Sequence, residues 1–313
     1  MTNFLQLLEF WCRCAHLSCY GRDGEAKLKG ITKLNALTAA CSVALIALCT
    51  PLAAADLPAS AGSTLDQGFH LLYQLDFRDA HQVFASWEKE NPDNPLGPVS
   101  DAAGLLFSEF NRLGVLESQF YESDQAFNER KQLAPDPVLR DQLNAALEQA
   151  ETQAKSRLNQ HPYDRDALFS LTLASGLRAD YAALIEKHNL ASLHFTKDAT
   201  GWAKQLLAVD PKCYDAHVAT GVSQYIIGSM TAPVRWLVRL GGIVGNKQAG
   251  IQELQMTADH GRYLAPFARI LLAIAYVREK DKPRARELLV SLERDFPQNP
   301  LFARELGRLD SQR

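Results

Sequence analysis

Ala80-His81-Gln82-Val83-Phe84-Ala85-Ser86-Trp87-Glu88-Lys89-Glu90-Asn91-Pro92 is the stretch that decides the fold. A small residue at its head lets a helix lie close against a neighbour. Phe84 and Trp87 then recur at helical spacing, and a proline twelve residues on ends the helix. The same alanine-to-proline interval returns at Ala150/Pro162, Ala199/Pro211 and Ala285/Pro297. A unit repeated in this way predicts an array of stacked helix pairs.

Outward from that ruler, composition agrees. The chain has 313 residues and 47% apolar content, enough for a sizeable core. Strand-like alternation is scarce, and Leu, Ala, Glu, Gln and Arg fill the periodic stretches. The class expected is all-α.

The N-terminal 55 residues read differently. Residues 1–26 fit poorly ahead of a leader and read as an extension. Cys12, Cys14, Cys19 and His16 have the wrong spacing for a closed zinc site. Residues 27–55 read as a secretory signal. Lys27, Lys29 and Lys33 precede an apolar run from Ala36 to Cys49, and Pro51 and Ala53-Ala54-Ala55 supply a small-residue cleavage site before Asp56. Left uncut, Ala36–Ala55 would be long enough to anchor the chain in a membrane. The expected location is the periplasm or cell envelope, with 56–313 as a single helical domain.

Beyond Ala55 the chain holds 28 basic and 33 acidic residues, a net of −5, which argues against general nucleic-acid binding. Cys213 is the only cysteine there, so an intrachain disulfide is excluded and the core must carry stability.

Residues 61–94 place Gly68, Leu71, Ala80, Phe84, Trp87 and Pro92 in one register, and residues 266–299 repeat it with Ala273, Tyr276, Ala285, Leu289, Leu292 and Pro297. In this the chain resembles the tetratricopeptide repeat (TPR) family, whose unit of about 34 residues is a helix pair. The resemblance implies a right-handed α-solenoid of about five TPR-like pairs with a C-terminal capping helix at 299–309. Two junctions, Pro162–Ala167 and Pro211–Ala216, look alike, with an aspartate placed to cap the incoming helix. Three units depart from the family. They are enlarged between first and second helix, near 114–140, 180–195 and 229–246, and these surpluses are expected along one edge.

A catalytic constellation is missing. No nucleophile elbow or His-Glu-x-x-His occurs, and Gly241–Lys247 misses the phosphate-loop spacing. The histidines are scattered, although His70 and His81 could meet across a pair. No metal or cofactor is expected.

The resemblance assigns a concave face to Leu65, Phe69 and Leu72 of the first unit, Phe169 and Leu173, Val218, Val222 and Tyr225, and Ile270, Ile274 and Val277 of the last. Almost all the positions it assigns are apolar, so something must cover them, and the enlarged connections are the nearest candidates. Arg235, Trp236 and Arg239 mark the third connection as a short amphipathic helix, either touching a membrane surface or partner, or lying as a lid with snorkelling arginines. The expectation is a non-enzymatic interaction scaffold or adaptor that binds a protein through the concave face or the edge 229–246. Its alternatives are a carrier of an apolar small molecule or lipid along a Phe69–Phe169–Ile274 wall, and an enzyme subunit built on the solenoid.

Overall fold

Five helices begin on an Asp or Asn whose side chain accepts a hydrogen bond from the first turn. These are α2 (Phe77–Glu90) on Asp76, α4 (Pro137–Gln160) on Asp136, α5 (Arg165–Tyr181) on Asp164, α9 (Lys247–His260) on Asn246 and α11 (Lys282–Asp295) on Asp281. Each such cap contributes about 1 kcal/mol by satisfying an orphan N–H. The remaining helices are α1 (Thr64–Tyr73), α3 (Leu96–Arg112), α6 (Asn189–Val209), α7 (His217–Ser229), α8 (Ala232–Leu240), α10 (Ala265–Arg278) and α12 (Pro300–Ser311).

These coordinates, a computed structural model, describe residues 64–116, 133–240 and 244–311. The leader and anchor readings of residues 1–55, the Cys12/Cys14/Cys19/His16 set and most of the first surplus segment lie outside them. Among the described residues the structure is entirely helical, without a strand. All its elements belong to one compact unit, Asp56–Arg313; its main apolar cluster runs from Leu65 to Leu309, beside a small second one of Ala154, Ala167 and Leu171. That stretch therefore carries its own core.

The ruler holds in detail. Pro92, Pro162, Pro211 and Pro297 each stand two residues past the end of α2, α4, α6 and α11. Ala80, Ala150, Ala199 and Ala285 are all buried. Close packing is explicit at Gly68, where a Cβ would come within 2.2 Å of the Phe84 ring. Each helix packs on the next along the chain with one exception: α7 packs directly on α9, and α8 is bypassed.

The second surplus is not an edge feature. It lengthens α5 and α6 and joins them by a π-helical turn, Ala182–Glu186, which ends on Lys187 at φ 57°. Ile185 is buried there, and Leu184 packs on the core. Ile185 and Leu184 are thus consumed by packing, whereas Leu190, in the first turn of α6, stays 48% exposed.

Asp215 also departs from expectation. Asp164 caps its helix, accepting from Ala167 N–H at 2.9 Å. Asp215 instead reaches across the fold, and its carboxylate accepts from the N–H groups of Arg262 (3.0 Å), Tyr263 (3.3 Å) and Leu264 (2.9 Å). Burial raises its pKa, and the three N–H groups oppose that rise. It fixes the turn between α9 and α10.

That turn meets α1. Tyr73 donates from its hydroxyl to Tyr263 O at 2.9 Å, and Arg262 forks onto Asp66 at 2.7 and 2.9 Å. Asn299, before α12, donates from Nδ2 to Tyr73 O at 2.9 Å, and Gln298 N–H donates to Gln74 Oε1 at 3.0 Å. The first helix is therefore fastened to the last elements. The exposed Arg262–Asp66 pair adds at most about 1 kcal/mol, so the buried aromatics and amides around Tyr73 do most of the fastening.

Candidate interaction surface

The apolar residues assigned to the concave face are covered. Leu65, Phe69, Leu72, Phe169, Val218 and Tyr225 are buried, and Leu173, Val222, Ile270, Ile274 and Val277 are half-buried. Tyr263 does much of the covering. Its ring lies 5.0 Å from Phe69 and stacks 6.1 Å from Phe169, while Phe107 meets Phe267 edge-on at 5.6 Å. An apolar ligand lying between Phe69 and Phe169 would have to displace Tyr263. The cover at this point is the turn before α10 rather than an enlarged connection. No motif in the sequence marks Tyr263, and its role rests on contacts made nearly two hundred residues away in the chain.

Several titratable groups that spacing singled out have partners of their own. His70 packs on Phe296 at 5.2 Å, and His81 Nδ1 bonds the Asp101 carboxylate at 2.5 Å, so the two histidines take different partners. Glu109, fully buried, accepts from Arg112 (2.6 and 2.7 Å) and from Asp136 N–H (2.7 Å), tying the end of α3 to the cap of α4. Burial pushes the Cys213 thiol up to about 11, so it is a poor nucleophile at neutral pH. Desolvation alone pushes the carboxyl of half-buried Asp180 up to about 7. An open polar cleft of about 600 Å³ runs beside α4, but its cation, Arg157, is already held by Asp164 at 2.7 and 2.9 Å. Among the described residues no three His, Cys, Asp or Glu side chains gather where they could hold a metal.

The third connection is built differently. Where α7 and α9 meet, glycines bring the backbones into direct contact. A Cβ on Gly250 would lie 2.5 Å from Tyr225 N, one on Gly228 2.3 Å from Lys247 N, and one on Gly245 2.6 Å from Gly228 N. The segment thus leaves the core and re-enters it at one point, Gly228. Arg235 donates from Nη1 to Gly228 O at 3.1 Å, which holds α8 beside that point. Lys247, just past it, pairs with Glu279 at 2.8 Å.

Around this base three apolar residues are exposed, although Ile227 is buried and Val234 half-buried. Ile226 is 51% exposed, Trp236 61% and Val244 66%. Arg235 and Arg239 are exposed as well. Trp236 is thus mostly exposed rather than buried as a lid residue would be. Ile226, on α7, and Val244, just before Gly245, are exposed too and were not singled out by spacing. A charge count could have found the region: the 37 residues from Ala216 to Gln252 contain no Asp or Glu.

Compared with known proteins, the chain matches no family model and no curated protein. No described helix is long and apolar enough to cross a membrane.

Proposed function

We propose that the chain is a non-enzymatic docking scaffold of the cell envelope, exported by the leader ending at Ala55, which engages its partner through the edge 229–246. In this reading α1/α2, α3/α4, α5/α6, α7/α9 and α10/α11 are five TPR-like pairs of a right-handed solenoid, α12 is the cap, and α8 is the working insertion. The observation that carries it is the contrast in exposure: the concave-face residues are buried or half-buried, while Trp236 stands in water beside two arginines. A large aromatic left exposed on a preordered element is the usual mark of a contact surface, because docking it costs little ordering entropy.

The test is excision. Residues 230–244 can be replaced by a short Gly-Ser linker, since Gly228 and Gly245 already touch. Association of Asp56–Arg313 with an envelope fraction is then measured with and without the edge. Loss of association with an unchanged melting temperature is expected. Full retention would remove the edge from the function.

A further inference from the structure

The partner's chemistry is written in the residues around Gly228. Ile226 lies two positions before it, Trp236 follows the arginine bonded to it, and Val244 precedes the glycine packed on it. Three exposed apolar side chains thus lie within a few residues of the packed glycines or of the arginine bonded there. Arg235 and Arg239 stand one helical turn apart, and neither has a carboxylate partner among the described residues. The absence of any acidic residue between Ala216 and Gln252 leaves that positive charge uncancelled within the segment, although the whole chain is net negative.

We propose that α8 docks on a lipid surface bearing anionic headgroups. This rests on the reading of 229–246 as the docking element and names what it meets. Tryptophan at a water–hydrocarbon boundary, flanked by arginines whose stems lie along apolar surface, is the side-chain chemistry that such a boundary selects. A helix of nine residues is less than half the length needed to span a bilayer core of about 30 Å, so α8 lies in the plane of the interface. Uncompensated arginines favour headgroups of opposite sign, and their attraction falls with salt. The glycine-packed base presents the helix already formed, so the surface need not order it.

Asp56–Arg313 is mixed with protein-free vesicles of phosphatidylcholine alone, or of phosphatidylcholine with phosphatidylglycerol, and co-sedimentation and tryptophan emission are followed. Trp87 and Trp202 already pack against the core, so a blue shift reports Trp236. The expected result is sedimentation with the phosphatidylglycerol vesicles, little with the neutral ones, and release by salt. The shift should vanish in Trp236→Phe. The double variant Arg235→Gln/Arg239→Gln should bind about 25-fold more weakly, roughly fivefold per arginine, with its melting temperature unchanged. Equal binding to both vesicle types overturns the role of the arginines. No binding to phosphatidylglycerol vesicles, with envelope association still lost on excision, overturns the lipid and leaves the edge with a protein partner. Envelope association that survives excision overturns the edge reading itself.

Discussion

Tyr263 and Trp236 are both large aromatics next to the helix pair α7/α9, and the fold treats them in opposite ways. Tyr263 sits at the exit of α9, its ring between Phe69 and Phe169 and its backbone held by Asp215 and the Tyr73 hydroxyl. Trp236 sits on α8, in the connection between the same two helices, and is 61% exposed. The first shows how the chain covers its own apolar face. The second shows an aromatic left uncovered beside a base of packed glycines. Composition does not separate the two sites; the difference is whether the far end of the chain arrives to meet the ring.

The contrast can be broken most sharply at Tyr263. Tyr263→Ala should cost about 3–5 kcal/mol, as large aromatic truncations in cores do, read as a lower midpoint in urea, and should loosen α1 first in hydrogen exchange. A loss below 1 kcal/mol would mean that the ends of the chain are not fastened there. Gly250→Val comes next. Its side chain would collide with backbone at Tyr225, a contact that cannot move as a side-chain tip can, for a loss of about 1–3 kcal/mol. Both edge docking and stability should fall together, since the base of the edge is part of the core.

Asp180 sharpens the comparison through pH. Its carboxyl titrates near 7 when folded against 3.8 in the free group, so the native state holds its proton more tightly. That preference favours the folded chain below about pH 4 and fades as pH rises through 7. Asp180→Asn should therefore gain stability over the wild type at pH 8, on the order of 2 kcal/mol, and match it more closely at pH 4. Denaturation at the two pH values gives the sign, and an equal effect at both would place the carboxyl in water. The smallest effect is expected at Trp236. Trp236→Ala should shift stability by less than about 0.5 kcal/mol, as exposed positions do, and a larger thermal shift would show that the ring is packed after all.

What could be read from the sequence was local. The four prolines mark four helix ends, the alanines twelve residues before them are buried, and Asp164 caps the helix it precedes, because each of these effects acts within a turn or two of chain. The apolar register was legible too, since Leu65, Phe69 and Phe169 do face inward. What faces them was not. Asp215 occupies a junction resembling that of Asp164 yet serves amides 47 to 49 residues away, and Tyr263 carries no periodic signal. The edge was half visible: Arg235, Trp236 and Arg239 stood out by amphipathic spacing, but the glycines that let α7 and α9 touch show their purpose only when the two backbones are seen together.

The bond from Asn299 to Tyr73 has one more consequence. Helical arrays with free ends can gain or lose a unit by duplication and still fold, because each unit answers only to its neighbours. Here the first helix must land on the turn before the last. An added or deleted pair would carry Asn299 away from Tyr73 and Tyr263 away from Phe69. The stretch of helices between α1 and α12 is thereby fixed in extent, and variation in length is best borne by connections that leave the body and return to it at the same place.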